Sequence, residues 1–413
     1  MKHFLLLLSF LSSWLSTHAQ LSLADCEDQF LKKNLYLLAE QYNITAAEAN
    51  VIQAKLWENP YFSAELNVLN PQDDRIFDVG ANGQKVFAIE QLIYLGGKKK
   101  NEIELAKVNT QLAQAEFNDL LRQLRYQLRV SYFAVYHDYI TVASIEKQLV
   151  NLDSLIAAYS VQSIKNNVSY KDVVRLQSLY LNLKRSKSDL LNEIFEEEKN
   201  LSILLSDTLR IKPTPTREEL KQYQSPISKS IHELITVAQD NRPDLMRSDL
   251  AIEASSVNLR LQKSLAVPDL TMGANYDQRG GAFQNQVNLT LGLPLPLINR
   301  NQGNIKMADA ELKQAGIQKD LMLIYINQEV IQAYNKHKDA YENYQFITKS
   351  ANKNFDKLYE GVTSNFQKRN ITMIEFTDFI ESYNETLIQY NRIQKVLINT
   401  CEELNYITNA NIF

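Results

Sequence analysis

Two short stretches of this 413-residue chain match each other 203 residues apart: NNVSYKD at residues 166–172 and RNITMIE at residues 369–375. Each has an asparagine, Asn167 or Asn370, where the backbone is expected to enter the left-handed conformation that ends a helix. A Ser or Thr follows, with an acidic residue three positions later, which is the pattern of a capping box at the start of a new helix. Each stretch therefore predicts a tight turn between two antiparallel helices.

Long tracts without helix breakers surround both turns. Residues 98–212 contain no Gly or Pro, and residues 304–413 contain no Pro. Within both tracts, apolar residues recur at spacings of three and four, as in amphipathic helices that pack side by side. The longer helices would each span roughly 100 Å. The predicted helices are two long ones, over 98–166 and 300–368, and two return helices, over 169–206 and 372–409.

The segment in front of each long helix changes to the period of a β-strand. After Pro60 and after Pro268, side chains alternate between apolar and polar. We therefore expect β-hairpins over 60–96 and 268–296, with strands of about 9 to 11 residues, the length of a tilted membrane-spanning strand. The alternative is a pair of half-buried hairpins on a soluble domain. Four strands cannot close a barrel, for which about eight is the minimum, so several chains would have to pool membrane-spanning strands.

The chain thus divides into two repeats with the same order of elements: helix, β-hairpin, long helix and return helix. The first repeat is expected to cover residues 20–206 and the second residues 229–413. A linker over 207–228, which contains several prolines, joins them. The opening helices of the repeats are predicted near 27–58 and 229–266.

The first 19 residues have the pattern of a secretory signal peptide. Lys2 precedes a Leu-rich run that ends before Ala19, and this run is short for a membrane span. We therefore expect segment 1–19 to be removed on export. Two alternatives stand: an uncleaved N-terminal anchor, and a lipoprotein modified at Cys26.

The composition excludes several classes of function. A net charge of −4 provides no basic excess for binding phosphates, so nucleic acid is not an expected partner. The five His and two Cys show no metal-ligand spacing, and the chain contains no nucleotide-binding or nucleophile motif. We therefore expect no metal site, no cofactor and no enzymatic activity.

The duplicated order of elements, the Pro that opens each hairpin and the two N-[VI]-[ST]-x-x-[DE] turns resemble the TolC-type outer-membrane efflux family. The junction QLIYLGGK at residues 91–98 looks most similar to the Czc/Cus-type branch, which serves heavy-metal pumps. The resemblance implies a mainly α-helical chain with a small β part. Each subunit of a homotrimer would give four strands to a 12-stranded barrel in the cell outer membrane, which would continue into a long periplasmic barrel of α-helices.

The same resemblance implies a passive duct for efflux. Its partners would be outer-membrane lipid, a periplasmic adaptor (membrane fusion) protein and an inner-membrane pump of the RND or ABC type. Two alternatives remain, a periplasmic coiled-coil scaffold and the outer-membrane component of a type I protein secretion system. The sequence does not select between a heavy metal, a drug and a protein as the cargo.

The resemblance also assigns roles to residues at the turns. In the family, acidic residues just after the second turn constrict the closed pore, and the matching positions here are Glu375 and Asp378. They are three residues apart and so share a helix face, where three copies would form a ring of carboxylates. The plainer interpretation is that Glu375 is a helix cap and Asp378 a solvated side chain. The adaptor-facing tips would be formed by Asn167, Val168, Ser169, Asp172, Asn370, Ile371 and Thr372.

Two further expectations concern single side chains. In such a duct Cys26 and Cys401 would lie at similar heights, so a disulfide between them is one alternative for the two thiols. The run Lys98-Lys99-Lys100 opens the first long helix and is expected to be a solvated cluster at the rim of the barrel. The alternative is a site for lipid headgroups.

Overall fold

The computed structural model describes residues 19–208, 210–280, 282–350 and 355–413. All of the predicted signal peptide except Ala19 lies outside these residues. None of the helices in the described ranges combines enough length with enough apolar character to span a bilayer.

The described residues are mainly helical, with eight β-strands, most of them short. Both segments that were expected to carry hairpins contain strands, and the tracts that follow them are helical. Along the chain the elements are β1 (Ala19–Leu21), α1 (Leu23–Lys33), α2 (Leu35–Lys55), β2 (Tyr61–Leu66), β3 (Leu69–Asn70), β4 (Arg75–Ile76), β5 (Gln84–Ile93), α3 (Lys98–Ile164), α4 (Tyr170–Leu205), β6 (Ile211–Pro213), α5 (Arg217–Gln222), α6 (Ile231–Asn241), α7 (Pro243–Leu265), β7 (Leu270–Arg279), β8 (Phe283–Gly292), α8 (Gln302–Ser350), α9 (Phe355–Gln367) and α10 (Met373–Thr408).

The chain forms two compact units, each built from segments of both predicted repeats. Among the described residues, unit 1 consists of 19–39 together with Asp119–Arg242 and Ile324–Phe413. Unit 2 consists of Glu40–Asn118 and Pro243–Leu323. Unit 2 contains the main sheet, and unit 1 contains the two predicted turns.

The main sheet has four antiparallel strands in the order β2-β5-β7-β8. Its central pair joins the two repeats, because β5 pairs with β7 from Gln84 opposite Arg279 to Ile93 opposite Leu270. The register places the starts of β2 and β7 and the ends of β5 and β8 at the same end of the sheet. We call this the helical end, because the chain enters and leaves the sheet there from α2, α3, α7 and α8.

The two faces of this sheet differ in chemistry. Cross-strand partners share a face, and the rings of Phe62, Phe87 and Tyr276 form a row with 6.4 Å between neighbouring centroids. Side chains on this face are open to the surroundings, with Val287 73% and Leu289 86% exposed. We call the first face apolar, since most of its side chains are: Phe62, Ala64, Leu66, Phe87, Ile89, Met272, Ala274, Tyr276, Val287, Leu289 and Leu291, with polar members such as Lys85 and Gln91. The opposite, mainly polar face carries Ser63, Glu65, Glu90, Thr271, Asn275, Asp277, Asn288 and Thr290, with Val86, Ala88 and Leu92 from β5.

The first hairpin is more elaborate than the predicted pair of strands. Between β2 and β5 the chain forms a second, small hairpin in which Leu69 lies opposite Ile76. The Asn70 side chain holds this turn by donating from Nδ2 to carboxylates of Asp73, at 3.2 Å, and Asp78, at 2.8 Å. Short polar side chains of this kind stabilise tight turns by bonding locally, which explains an extra reversal inside the segment.

Both opening helices are interrupted, although the sequence predicted one helix in front of each hairpin. Asn34 separates α1 from α2: its Nδ2 donates to the Leu204 carbonyl at 2.7 Å, and its Oδ1 accepts from the Leu37 N–H at 3.0 Å. Arg242 separates α6 from α7, because Pro243 disfavours the helical conformation in the residue before it and suits the first position of a new helix.

The segment between the repeats carries regular structure. β6 pairs in parallel with β1, with Ile211 opposite Ala19. The short helix α5 follows, and Thr216 starts it with a complete capping box to Glu219. Tyr223, just after α5, is fully buried and anchors this segment in the core of unit 1.

Candidate functional site at the two helical tips

The first tip ends α3 and starts α4. Asn166 has a positive φ of 57°, and its N–H donates to the Ser163 carbonyl at 3.0 Å. The next N–H, from Asn167, reaches back to the Gln162 carbonyl at 3.0 Å. These two bonds form a Schellman motif, which satisfies carbonyls that the end of a helix leaves free. The Asn167 side chain adds a third bond, from Nδ2 to Oε1 of Gln162 at 2.8 Å.

The second tip repeats this geometry at the end of α9. Arg369 has a φ of 60° and donates to the Phe366 carbonyl at 3.0 Å, while Asn370 donates to the Asn365 carbonyl at 2.9 Å. The Asn370 side chain again bonds the residue five positions earlier, with 3.3 Å between Nδ2 and Oδ1 of Asn365. Both tips therefore share this side-chain hydrogen bond, which we call the asparagine clasp.

The sequence prediction placed the left-handed residue one position too late. Asn166 and Arg369 take the positive φ, whereas Asn167 and Asn370 do not. In a Schellman motif the left-handed residue comes first, and the residue after it makes the long bond back across the last turn. Asn167 and Asn370 hold this second position and act through their amides.

The starts of the two return helices differ. Thr372 forms the predicted capping box, because its Oγ1 accepts from the Glu375 N–H at 3.2 Å and its own N–H donates to Oε2 of Glu375 at 2.7 Å. The box predicted at Ser169 and Asp172 is not formed: Ser169 Oγ accepts from the Lys171 N–H instead. The ψ angle of Ser169 is 137°, against 162° at Thr372, and this rotation turns the hydroxyl toward the second helical residue.

The two predicted gate residues lie on the exposed side of α10. Hydrogen bonds from the Thr372 backbone and side chain lower the pKa of Glu375, so Glu375 is the helix cap that the plainer interpretation expected. Asp378 is exposed, one turn further along α10. The exposed Glu381 and Glu385 continue the line at spacings of three and four. No sequence prediction included Glu381 and Glu385, although their spacing from Asp378 places them on the same side of the helix.

The other predicted tip residues divide by exposure. Asn167, Ser169, Asn370 and Thr372 are exposed, whereas Val168, Asp172 and Ile371 are half-buried.

An apolar cluster supports both tips from below. Phe366 of α9 stacks on Phe376 of α10 with ring centroids 4.1 Å apart, and on Tyr159 of α3 at 5.6 Å. Ile371 of the second tip packs against the same cluster. All four helices that meet at the tips contribute to its buried part, through Ile145, Leu149, Leu152, Leu155, Leu176, Leu179, Leu183, Tyr359, Phe366, Met373, Phe376, Ile380 and Tyr383.

A partly buried ionic network lies elsewhere in unit 1. Arg129 of α3 pairs with Glu27 of α1 at 2.6 Å and with Glu402 of α10 at 3.1 Å, and Glu402 also accepts from the Tyr223 hydroxyl. Burial alone would lower the pKa of Arg129, but the two carboxylates outweigh it and raise the pKa. The network ties three helices to the segment between the repeats, and no sequence motif indicated it.

The disulfide alternative is wrong, because Cys26 and Cys401 are both free and buried. The sulfur of Cys401 lies 3.6 Å from Nδ1 of His337 and 3.8 Å from the Tyr223 carbonyl. Burial raises the pKa of Cys26 to about 12 and lowers that of His337 to about 4, so both groups are neutral near pH 7. The disulfide alternative was based on the similar heights of the two cysteines along the duct, but each thiol is buried separately in the core.

The lysine run at the start of α3 is not the solvated cluster that was expected. Lys98 is buried and pairs with Asp269 at 2.7 Å. The same carboxylate accepts from the Leu95 N–H at 3.0 Å, so Asp269 of the second repeat fixes the junction between β5 and α3. Gly96 allows this junction, because its φ is +67° and a Cβ there would lie 2.8 Å from Val267.

Residues 234–367, which run from α6 to the end of α9, match the model of the outer membrane efflux protein family. Over these residues the chain is similar to the outer-membrane efflux proteins. It is 22% identical over 363 residues to the cobalt-zinc-cadmium resistance protein CzcC of Cupriavidus metallidurans, a match that covers 86% of this chain and 82% of CzcC. The similarity agrees with the resemblance of residues 91–98 to the Czc/Cus branch.

Solved structures share the fold of this efflux protein. A membrane protein from Pseudomonas aeruginosa superposes with a TM-score of 0.76 at 15% identity, covering 96% of this chain and 94% of that one. The CmeC outer membrane channel of Campylobacter jejuni gives a TM-score of 0.74 at 13% identity, with 94% and 86% covered. The sequence prediction of an outer-membrane efflux channel rather than an enzyme is confirmed by the family match and the curated relative.

Proposed function

We propose that three copies of this chain form the outer-membrane duct of a tripartite efflux system, with a 12-stranded barrel continued by a periplasmic barrel of α-helices. The observation that carries the proposal is the main sheet of unit 2, which has an exposed apolar face, a polar face and two edge strands.

The exposed face suits a bilayer. Apolar side chains such as Val287, Leu289 and Leu291 are more than two-thirds exposed, and a contiguous apolar patch of this kind marks contact with lipid or with another protein. The strands β5, β7 and β8 have 10 residues each, the length of a tilted membrane-spanning strand. A soluble coiled-coil scaffold would leave this face in water, which argues against that alternative.

The two edge strands of the sheet allow several copies of the chain to close a barrel together. Each strand in the order β2-β5-β7-β8 is antiparallel to its neighbour, so the two edge strands β2 and β8 run in opposite directions. The β8 edge of one subunit can therefore pair in antiparallel fashion with the β2 edge of the next, and this head-to-tail contact closes into a ring. Three sheets of four strands give the even number that membrane barrels use.

The tips supply the contact with the partners. The exposed amides and hydroxyls of Asn167, Ser169, Asn370 and Thr372 would face a periplasmic adaptor, which joins the duct to an inner-membrane pump of the RND or ABC type. Glu375 and Asp378 would form a ring of six carboxylates across three copies, which repels itself and favours cations at the entrance. The duct itself is passive.

The cargo that we infer is a divalent metal cation. The inference comes from the curated relative, whose name refers to cobalt, zinc and cadmium resistance, and from the acidic line along α10. In a host that lacks its own metal-efflux duct, expression of this chain with a matching adaptor and pump should restore tolerance to these cations. Restored tolerance to organic drugs without any change for metals would contradict the choice of cargo.

The trimer is tested by linking the two edges. Ser63 lies on the polar face of β2 and Asn288 on the polar face of β8. Cysteines at both positions, joined by a flexible bismaleimide in outer-membrane preparations, should produce covalent dimers and trimers, whereas either cysteine alone should leave monomers. Since Cys26 and Cys401 are buried, the unsubstituted protein is the background control. A monomer by native mass spectrometry, with no linked species, would overturn the proposal.

A further inference from the structure

A cavity of about 550 Å³ lies in unit 2, beside the helical end of the sheet. Its wall comes from the end of α2, the chain that leads into β2, and the start of α3. The lining combines two aromatic rings, three charged side chains and three amides, and we call it the rim pocket. The residues that line it and enter the argument are Asn50, Gln53, Trp57, Glu58, Tyr94, Lys99 and Glu102.

The pocket is held in place by the strand ends. The Glu58 carbonyl accepts from Nε2 of Gln91, in β5, at 2.9 Å. The Tyr94 hydroxyl, one residue after β5, donates to Oε1 of Glu58 at 3.1 Å. The rim pocket is thus anchored where the apolar face of the sheet ends.

This position is the boundary of the bilayer in the proposed duct. In the single subunit Trp57 is 57% exposed, its ring lies 5.9 Å from that of Tyr94, and the neighbouring Leu56 is also exposed. Trp and Tyr concentrate at the level of lipid headgroups, because their rings combine an apolar body with a polar edge. In the proposed duct, the pocket is therefore expected to lie at the level of the phospholipid headgroups.

The charges of the pocket have both signs. Nζ of Lys99 lies 5.5 Å from the centroid of the Tyr94 ring and 3.6 Å from a carboxylate oxygen of Glu102. Glu58 supplies a second carboxylate, so the pocket carries one formal positive and two formal negative charges. A purely anionic ligand would be repelled by this excess, and a purely cationic one would compete with Lys99. A zwitterion can pair with both signs.

We propose that the rim pocket binds the phosphoethanolamine headgroup of a phospholipid in the periplasmic leaflet. The phosphate would accept from Lys99 and from the amides of Asn50 and Gln53, and the ammonium would donate to Glu58 and Glu102. A primary ammonium can donate three hydrogen bonds, whereas a choline headgroup has no N–H to donate. The inference rests on the proposed function, since it needs the sheet to span the membrane.

The single tryptophan near the pocket provides the measurement. The chain has two Trp, and cleavage after Ala19 removes Trp14, so Trp57 is then the only one left. Intact mass establishes whether Trp14 is present in the exported protein, and Trp14→Phe removes its signal if it is. The full-length protein is placed in phosphatidylcholine vesicles that contain increasing fractions of a lipid with brominated acyl chains, which quenches nearby tryptophan.

Brominated phosphatidylethanolamine should reach half-maximal quenching of Trp57 at a fraction about threefold lower than brominated phosphatidylglycerol or phosphatidylcholine. Lys99→Gln and the pair Glu58→Gln with Glu102→Gln should remove this preference. The matched controls Lys100→Gln and Glu48→Gln, which change exposed charges outside the pocket, should keep it. Soluble glycerophosphoethanolamine should not compete at the same concentration, because it lacks the chains that hold a lipid at the boundary.

Equal quenching by the three lipids, or a preference that survives the pocket variants, would overturn the inference. Competition by the soluble headgroup would assign the pocket to a free phosphoester and would also overturn the lipid assignment. Ion conductance recorded with the same protein separates this inference from the proposed function: conducting trimers without a lipid preference refute the rim pocket alone, whereas protein that neither conducts nor inserts refutes the duct.

Discussion

The two tips of the efflux protein share their helix stop and differ in their helix start. Both stop with a Schellman motif and an asparagine clasp, through Asn167 and Asn370. Only the second starts with a complete capping box, from Thr372 to Glu375. The difference shows that a duplicated turn can keep its geometry while one copy alone has its acidic residue fixed in place. The predictions below use each tip as the control for the other.

The largest effect is expected in the cluster beneath the tips. Phe376 follows the second turn and Val173 holds the matching position after the first, and both are buried. Phe376→Ala should cost about 3–5 kcal/mol of stability, because it leaves a cavity against Phe366. Val173→Ala should cost about 2 kcal/mol. Hydrogen exchange of peptides from the first turns of α10 and α4 measures both, and similar losses at the two tips would contradict this difference in packing.

A second contrast concerns charge at the entrance. Glu375→Gln with Asp378→Asn removes two charges per subunit and keeps the cap, since Gln also completes a capping box. If these residues form the gate, single-channel conductance in planar bilayers should rise at least about twofold through loss of repulsion. Asp172→Asn in the first tip is the matched control and should leave conductance unchanged. Conductance that rises with Asp172→Asn, or that stays unchanged in the double variant, would contradict a gate at the second tip.

A smaller contrast concerns the helix caps. Thr372→Ala removes a full capping box and should cost about 1 kcal/mol of local stability, whereas Ser169→Ala, which loses one bond to Lys171, should cost about 0.5 kcal/mol. Exchange rates of the first turns of α10 and α4 report the two losses separately. Equal losses would mean that the rotated Ser169 hydroxyl is as good a cap as the box.

The smallest effect is a dependence on pH at the second tip. The pKa of Glu375 is lowered in the folded protein from its ordinary value of 4.5. The stabilisation is therefore complete above about pH 4.5 and is lost as the pH falls through the lowered value. The first turn of α10 should exchange faster in acid, after correction for intrinsic rates, and Glu375→Gln should abolish that change. Acid fraying that persists in the variant would assign the effect to another group.

Long-range order was predictable because it depends on patterns that span many residues. The breaker-free tracts indicated the long helices, and apolar-polar alternation after Pro60 and Pro268 indicated strands that now form β2, β7 and β8. The turn stretches indicated both tips to within one residue. A sequence pattern does not distinguish between two adjacent asparagines. The left-handed conformation was therefore predicted at Asn167, whereas Asn166 adopts it.

The missed features all depend on a partner far away in sequence. Lys98 looked solvated because nothing near it in sequence shows that Asp269 comes within 2.7 Å. Asn34 looked like an ordinary helical residue because its partner is the Leu204 carbonyl. The network of Arg129, Glu27 and Glu402 was invisible for the same reason. Local pattern shows which face of an element is buried, and the tertiary fold decides which charge meets which.

The pairing of β5 with β7, which we call the seam, determines whether the protein can be produced as two separate polypeptides. The strands of each repeat lie together on one side of the seam, but the ten-residue pairing at the centre of the sheet joins one repeat to the other. A polypeptide cut in the segment between the repeats would yield two halves, each with two open β-edges and with Lys98 and Asp269 separated. Neither half should survive alone in a cell, yet the two synthesised together should reassociate, so a split gene for this protein would have to express both pieces at once.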